Sequence, residues 1–155
     1  MIAPGHKSVI APDINLLIYA VDEDSPFHTA ARAWLEDALS GTEVVGFAWI
    51  VLLGFLRLTT RSEVLPSPLS VKQALELVAL WLAQPTAAII EPGPRHLELL
   101  RDLLINTGTG GNLTSDAHLA AIAIERGAEV CSADNDFGRF AGLRCRNPLA
   151  PKKNP

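Results

Sequence analysis

Short apolar runs of β type alternate along this chain with longer segments of helical period, and that alternation leaves few folds open. Val9-Ile10-Ala11, Val44-Val45-Gly46-Phe47, Thr86 to Ile90 and Glu129 to Ser132 read as strands, with Leu143 to Cys145 as a short last one. Between them lie Ile14 to Val21, a helix opened by Ser25-Pro26 and running to Gly41, Trp49 to Thr60, a Ser70-capped helix through Leu82, Arg95 to Asn106, and Asp116 to Gly127. Strands separated by helices cannot pair through tight turns, so they predict a parallel sheet covered on both faces. The expected architecture is α/β, three layers, with a central mainly parallel sheet of four to five strands flanked by helices. No repeat, low-complexity tract or linker divides the chain. One domain over 1–155 is expected, with a folded core at about 8–148 and a basic tail at 149–155.

With 155 residues and 48% hydrophobic side chains, the chain can bury a core without disulfides or a structural metal. Cys131 and Cys145 lack zinc spacing and lie in apolar stretches, so both are expected to be buried thiols in a reducing compartment. The longest nearly unbroken apolar run, Val44 to Leu56, falls short of the ~20 residues a membrane span needs. No secretory signal is visible, and a cytoplasmic location is expected. The formal charge of −4 is no general signature of nucleic-acid binding. Its distribution is uneven, because from Phe137 onward there is no acid, while Arg139, Arg144, Arg146, Lys152 and Lys153 are basic. Such a tail either contacts phosphate or an acidic partner segment, or is simply solvated.

Reactive chemistry is most readily sought among four aspartates. Asp13 follows the first strand, Asp116 stands at a helix start, and Asp134 and Asp136 follow the fourth strand. In open parallel sheets, ligands bind beyond the carboxyl ends of strands, where Asp13 and Asp134 both fall. Two carboxylates about 4 Å apart repel by roughly 4 kcal/mol at an effective dielectric near 20, so convergence calls for protons or a hard cation. Each acid also has an ordinary reading. Asp116 suits a helix N-terminus, and Asp134-Asn135-Asp136 suits an Asx-type turn. Asp13, set between Ile10 and Leu16, is expected to be partly buried and to need a partner. The stretch Thr107 to Asn112 is glycine-rich, but no Gly-Lys-Ser/Thr follows it, so a helix C-cap and connection are favoured over a phosphate loop. His118 is two residues beyond Asp116 and points to another part of the helix, while His6, His28 and His96 are scattered.

These residues resemble a known family. Pro12-Asp13-Ile14-Asn15-Leu16-Leu17-Ile18-Tyr19-Ala20 is similar to the opening of the PIN domain, in particular that of VapC-type toxins of type II toxin-antitoxin systems. Gly54-Phe55-Leu56-Arg57-Leu58-Thr59-Thr60, Gly111 to Ala121, and Cys131-Ser132-Ala133-Asp134-Asn135-Asp136-Phe137 resemble its later blocks, in order and at suitable spacing. The resemblance implies a Mg²⁺- or Mn²⁺-dependent endoribonuclease acting on tRNA or ribosomal RNA, neutralised by a VapB-type antitoxin and forming a homodimer. It makes Asp13, Asp116 and Asp134 the catalytic and metal-holding acids, with Asp136 a weaker candidate, and Asn15 and Ser132 their hydrogen-bonding supports. The family's second acid is a glutamate on the central helix, and Gly54 stands at that position here. Water, Asp136 or Glu43 would have to fill the gap. The departure keeps open a degenerate module that binds RNA or a protein without cutting.

Residue chemistry points the same way. Phosphodiester hydrolysis needs charge stabilisation on phosphate and an activated water, which a carboxylate-held Mg²⁺ provides. RNA contacts then fall to Arg57, Arg61 and Arg139, with a salt bridge to Glu63 or a neighbouring acid as the competing role. The hairpin from Trp49 to Leu82 carries Trp49, Phe55, Leu65, Leu69 and Trp81, predicting a homodimer face or a groove for an amphipathic antitoxin helix unless the monomer core absorbs them.

Overall fold

The computed structural model describes residues 7–108 and 113–151. Its chain order is β1 (Val9–Pro12), α1 (Ile14–Val21), α2 (His28–Leu39), β2 (Val44–Ala48), α3 (Trp49–Thr59), α4 (Val71–Leu82), β3 (Ala87–Ile90), α5 (His96–Thr107), α6 (Thr114–Arg126), β4 (Ala128–Cys131) and β5 (Cys145–Arg146), with a 3₁₀ turn at Asn135–Arg139 before β5. The strands form one sheet in the order β3-β2-β1-β4-β5, every pairing parallel. The chain runs from β1 outward through β2 to β3, then returns across the sheet to β4 on the other side of β1. Right-handed crossovers therefore lay α1 to α4 on one face and α5 and α6 on the other. The helix contacts follow this division: α1 meets α2 and α3, α3 meets α4, and α5 meets α6. The change of winding direction leaves a crevice between the carboxyl ends of β1 and β4.

Local signals account for most element ends. Ser70 accepts from the Gln73 backbone N–H while the Gln73 side chain accepts from the Ser70 N–H, a capping box that starts α4. Gly108 and Gly127, both with φ near +70°, close α5 and α6 in the left-handed conformation that a side chain disfavours. The core joins both layers through Ile10, Leu16, Phe47, Leu52, Phe55, Ile122 and Val130. Trp81 of α4 stacks on Phe47 at 6.3 Å between ring centroids and meets Phe55 edge-on at 4.9 Å, so α4 is pinned to α3 and to β2. Truncating Phe55 to alanine is expected to cost about 3–5 kcal/mol. The alanines of α6, with Ala117, Ala120, Ala121 and Ala123 all buried, let that helix sit close against β4.

Several boundaries differ from the sequence reading. Ser25-Pro26 does not begin α2: the Ser25 hydroxyl accepts from the Phe27 N–H at 3.1 Å and its carbonyl from the His28 N–H, closing a turn that competes with helix initiation. The last strand lies at Cys145–Arg146 rather than Leu143 to Cys145, because the ladder is set by Val130 N–H to Arg144 O and Ser132 N–H to Arg146 O. Cys145 is consequently exposed on a sheet edge, contrary to expectation, whereas Cys131 is buried; both are free thiols. Of the apolar residues foreseen as surface, Phe55, Leu65 and Trp81 are core, Leu69 is half-buried, and Trp49 alone is exposed. Among the described residues, no helix is long and apolar enough to cross a membrane. His6, residues 109–112 of the glycine-rich stretch, and Lys152 and Lys153 of the tail lie outside the described residues.

Candidate active site

Asp13 sits where β1 turns into α1, as the N-cap of that helix, and one of its carboxylate oxygens accepts from the Ile14 N–H at 2.8 Å. Its own N–H donates to Cys131 O at 2.9 Å, extending the β1–β4 ladder to the crevice. From the end of β4, the Ser132 hydroxyl donates to the other Asp13 oxygen at 2.8 Å. The same hydroxyl oxygen accepts from Asn15 Nδ2 at 3.1 Å and from the Asp134 N–H at 3.0 Å, so its proton and both lone pairs are used. Asn15 Oδ1 accepts from the Ala133 N–H at 3.3 Å. Asn15 and Ser132 thus tie the loop after β4 to the start of α1 and orient Asp13 within it.

The other acids approach from two further elements. Asp116 occupies the first turn of α6, and Asp134 caps the 3₁₀ turn, accepting from the Asp136 N–H at 2.9 Å. One carboxylate oxygen each from Asp116, Asp134 and Asp136 lies within 4.8 Å of the other two. Asp13 stands beside this group rather than within it. Asp136 is drawn in beside Asp134 by the tight turn that joins them. The repeat Asp-x-Asp across an Asx turn was the signal for it, since such a turn folds the second acid back beside the first.

The electrostatics show that the acids feel one another. Burial pushes the Asp13 carboxyl above its ordinary range, against the lowering influence of the Ser132 and Ile14 hydrogen bonds, and the Asp134 charge raises it further. Asp116 is pushed up from 3.8 to about 6, first by desolvation and then by the charges of Asp13, Asp134 and Asp136. A site of oxygen donors that retains protons because its acids are desolvated and lie beside one another is suited to a hard divalent cation, which replaces those protons.

Gly54 of α3 is buried, and a Cβ built there would come within 2.5 Å of Ile14 Cδ1. Ile14, next to Asp13, thus occupies the space beside this position, which Gly54 leaves without a side chain. Glu43 does not stand in: it pairs with Arg146 at 3.7 Å, and Arg146 also holds Glu129 at 2.9 Å. Arg139 pairs with Asp136 at 3.4 Å and Arg61 with Glu63 at 3.5 Å, while Arg57 is exposed with no ion pair among the described residues. His118 turns away from the acids, its Nδ1 lying 2.9 Å from His96 Nε2.

A family model for the PIN domain matches residues 10–143. Ribonuclease VapC37 of Mycobacterium tuberculosis is 48% identical over 138 residues, covering 89% of this chain and 96% of that protein. Ribonuclease VapC33 of the same species is 45% identical over 141 residues, covering 91% and 99%. Among solved structures, VapBC2 from Rickettsia felis bound to a promoter DNA fragment has a chain that superposes with a TM-score of 0.66 at 19% identity, covering 90% of this chain and 98% of that one. VapBC-1 from nontypeable Haemophilus influenzae gives 0.65 at 16%, covering 92% and 99%. These two likenesses speak to the fold alone.

Proposed function

The chain belongs to the PIN domain family, and on that footing we propose that it is a VapC-type ribonuclease toxin, a Mg²⁺- or Mn²⁺-dependent endoribonuclease cutting tRNA or ribosomal RNA. The observation that carries this reading is the meeting of acids from α6 and the loop after β4, with the acid at the end of β1 beside them, where the sheet reverses its winding. Asp116, Asp134 and Asp136 would hold the ion, with Asp13 beside them as the acid that Ser132 and Asn15 hold in place. When bound, the ion supplies positive charge to the phosphate and makes a water nucleophilic near neutral pH. Asp13, with both oxygens engaged by Ile14 and Ser132, is held in one orientation beside the acids that would hold the ion. Arg57, exposed on α3, and Arg139, beside Asp136, are the cations that grip RNA phosphate. Residues of about 8–148 act as one unit in this reading, in the cytoplasm, where the RNA is.

The partner we assign is a VapB-type antitoxin. A groove of about 480 Å³ runs between α2 and α4, lined by apolar Leu35, Leu69, Leu77, Leu80 and Trp81 and edged by Glu23 and Glu36. It suits one amphipathic helix laid along it. For the homodimer the candidate face is Trp49 and Leu53, 47% and 58% exposed and one turn apart on α3.

Gly54 favours a second reading, a PIN module that binds RNA without cutting. Mg²⁺-dependent cleavage of total RNA by wild type and by Asp13→Asn separates the two. Cleavage by the wild type alone supports the nuclease; equal activity in both proteins means another site or a contaminant. Sequencing the RNA ends produced on induction would name the target.

A further inference from the structure

A cavity of about 190 Å³ adjoins the acids on the β5 side. It shares Ser132 and Asp134 with the site described above and adds Asn135, Gly138, Cys145, Arg146 and Asn147. We propose that it is a nucleotide subsite, receiving one unstacked base of the RNA strand next to the phosphate held at the acids. The proposal rests on the ribonuclease reading and adds to it the place where sequence is read.

Three features support this occupant. The cavity opens directly beside Asp134, so a strand whose phosphate lies at the acids must place a neighbouring nucleotide within reach of it. The cavity is open to solvent and its volume is on the scale of one base, the unit that recognition of splayed single-stranded RNA reads through base edges. Its walls carry the chemistry of such recognition: no hydrogen bond among the described residues engages the Asn135 amide or Asn147 Nδ2, while Asn147 Oδ1 is fixed by the Leu149 N–H at 2.9 Å. A carboxamide offers a donor and an acceptor to a base edge. Arg146 is tied to Glu129 and Glu43, so it forms a set wall rather than a free phosphate grip. Gly138 leaves room, since a Cβ added there meets no atom within 4 Å.

Cys145 allows the test to be run on the wild-type protein. Its thiol is exposed, whereas Cys131 is buried with its thiol pushed up to about 11, so iodoacetamide labels the first and spares the second. Labelling is followed by mass spectrometry with Ca²⁺ in place of Mg²⁺, with and without a short mixed-sequence single-stranded RNA. The expected result is roughly tenfold slower labelling of Cys145 with single-stranded RNA and no effect of the same sequence as a duplex. Gly138→Leu adds bulk at the pocket's lining, at a residue whose φ is not left-handed, and its kcat/KM is expected to fall roughly tenfold while Mn²⁺ affinity, read by electron paramagnetic resonance, stays that of wild type. If wild type cleaves RNA but the strand leaves Cys145 labelling unchanged, the subsite is wrong and the nuclease reading survives. A wild-type protein that cuts no RNA with any divalent ion overturns both. Should Gly138→Leu fail to fold, the labelling result alone decides.

Discussion

The Ser132 hydroxyl donates to an oxygen of Asp13 at 2.8 Å across 119 residues of sequence, and this bond fixes the end of β4 to the start of α1. Ser132→Ala leaves three groups short of a partner: the Asp13 carboxylate, the Asn15 amide and the Asp134 N–H. A loss of about 1–3 kcal/mol is expected, read as a drop of roughly 2–4 °C in Tm per kcal/mol. The lost bond also lets the Asp13 carboxyl rise further, so the alkaline shift of the cleavage pH profile distinguishes its electrostatic role from simple destabilisation. Ser132→Thr should restore both.

Asp116 sets a pH dependence whose sign depends on the ion. Its folded carboxyl titrates at about 6 against an ordinary 3.8, so between those values the metal-free fold binds more protons than the unfolded chain. Stability from this group is therefore full at the acid end of that window and is lost as pH rises through about 6. Divalent-ion affinity runs the other way, rising through the same window as the ion displaces the proton. Thermal melts in EDTA and in Mg²⁺ across the window should diverge with pH, most at its upper end; parallel curves contradict the coupling.

Arg57, on α3, and Arg61, just past the end of that helix, should behave differently toward RNA. Arg57 is exposed and free of ion pairs among the described residues, whereas Arg61 is held by Glu63. Arg57→Ala is expected to flatten the salt dependence of RNA binding by nearly one unit of slope, and Arg61→Ala by less. An unchanged slope for Arg57→Ala removes it from the phosphate path.

In the groove between α2 and α4, Leu80 is 58% exposed, so a change there spares the core. Leu80→Asp should weaken capture by a co-expressed VapB-type antitoxin at least tenfold while RNA cleavage by the isolated toxin stays at the wild-type level. Retained neutralisation would place the antitoxin elsewhere.

The architecture was legible because period and punctuation agree along most of the chain. α1 begins and ends where the apolar pattern from Ile14 to Val21 says it should, and Ser70 caps α4 as its residue type predicts. Asp13 was recognisable as a buried acid needing a partner, and Ser132 supplies one. What sequence did not convey depends on contacts between distant elements. Asp136 joins Asp116 and Asp134 only because a 3₁₀ turn folds it back toward α6. The surface or core fate of Phe55, Leu65 and Trp81 follows from how α4 closes over α3, which no local period encodes. Cys145 reads in sequence as a buried thiol, yet it sits on a two-residue strand at the edge of the sheet among the described residues.

The most direct measurement is cleavage of total RNA by wild type and by Asp116→Asn, each with Mg²⁺ and with EDTA, beside the Tm of both proteins in EDTA. Wild type should cut only with the ion, and the variant should lose at least about a hundredfold in rate. The variant's Tm in EDTA should nonetheless be higher by roughly 2–4 °C per kcal/mol of repulsion relieved, since one of four crowded acids is gone. Undiminished cleavage by Asp116→Asn, or wild-type cleavage that persists in EDTA, contradicts a divalent-ion site at these aspartates.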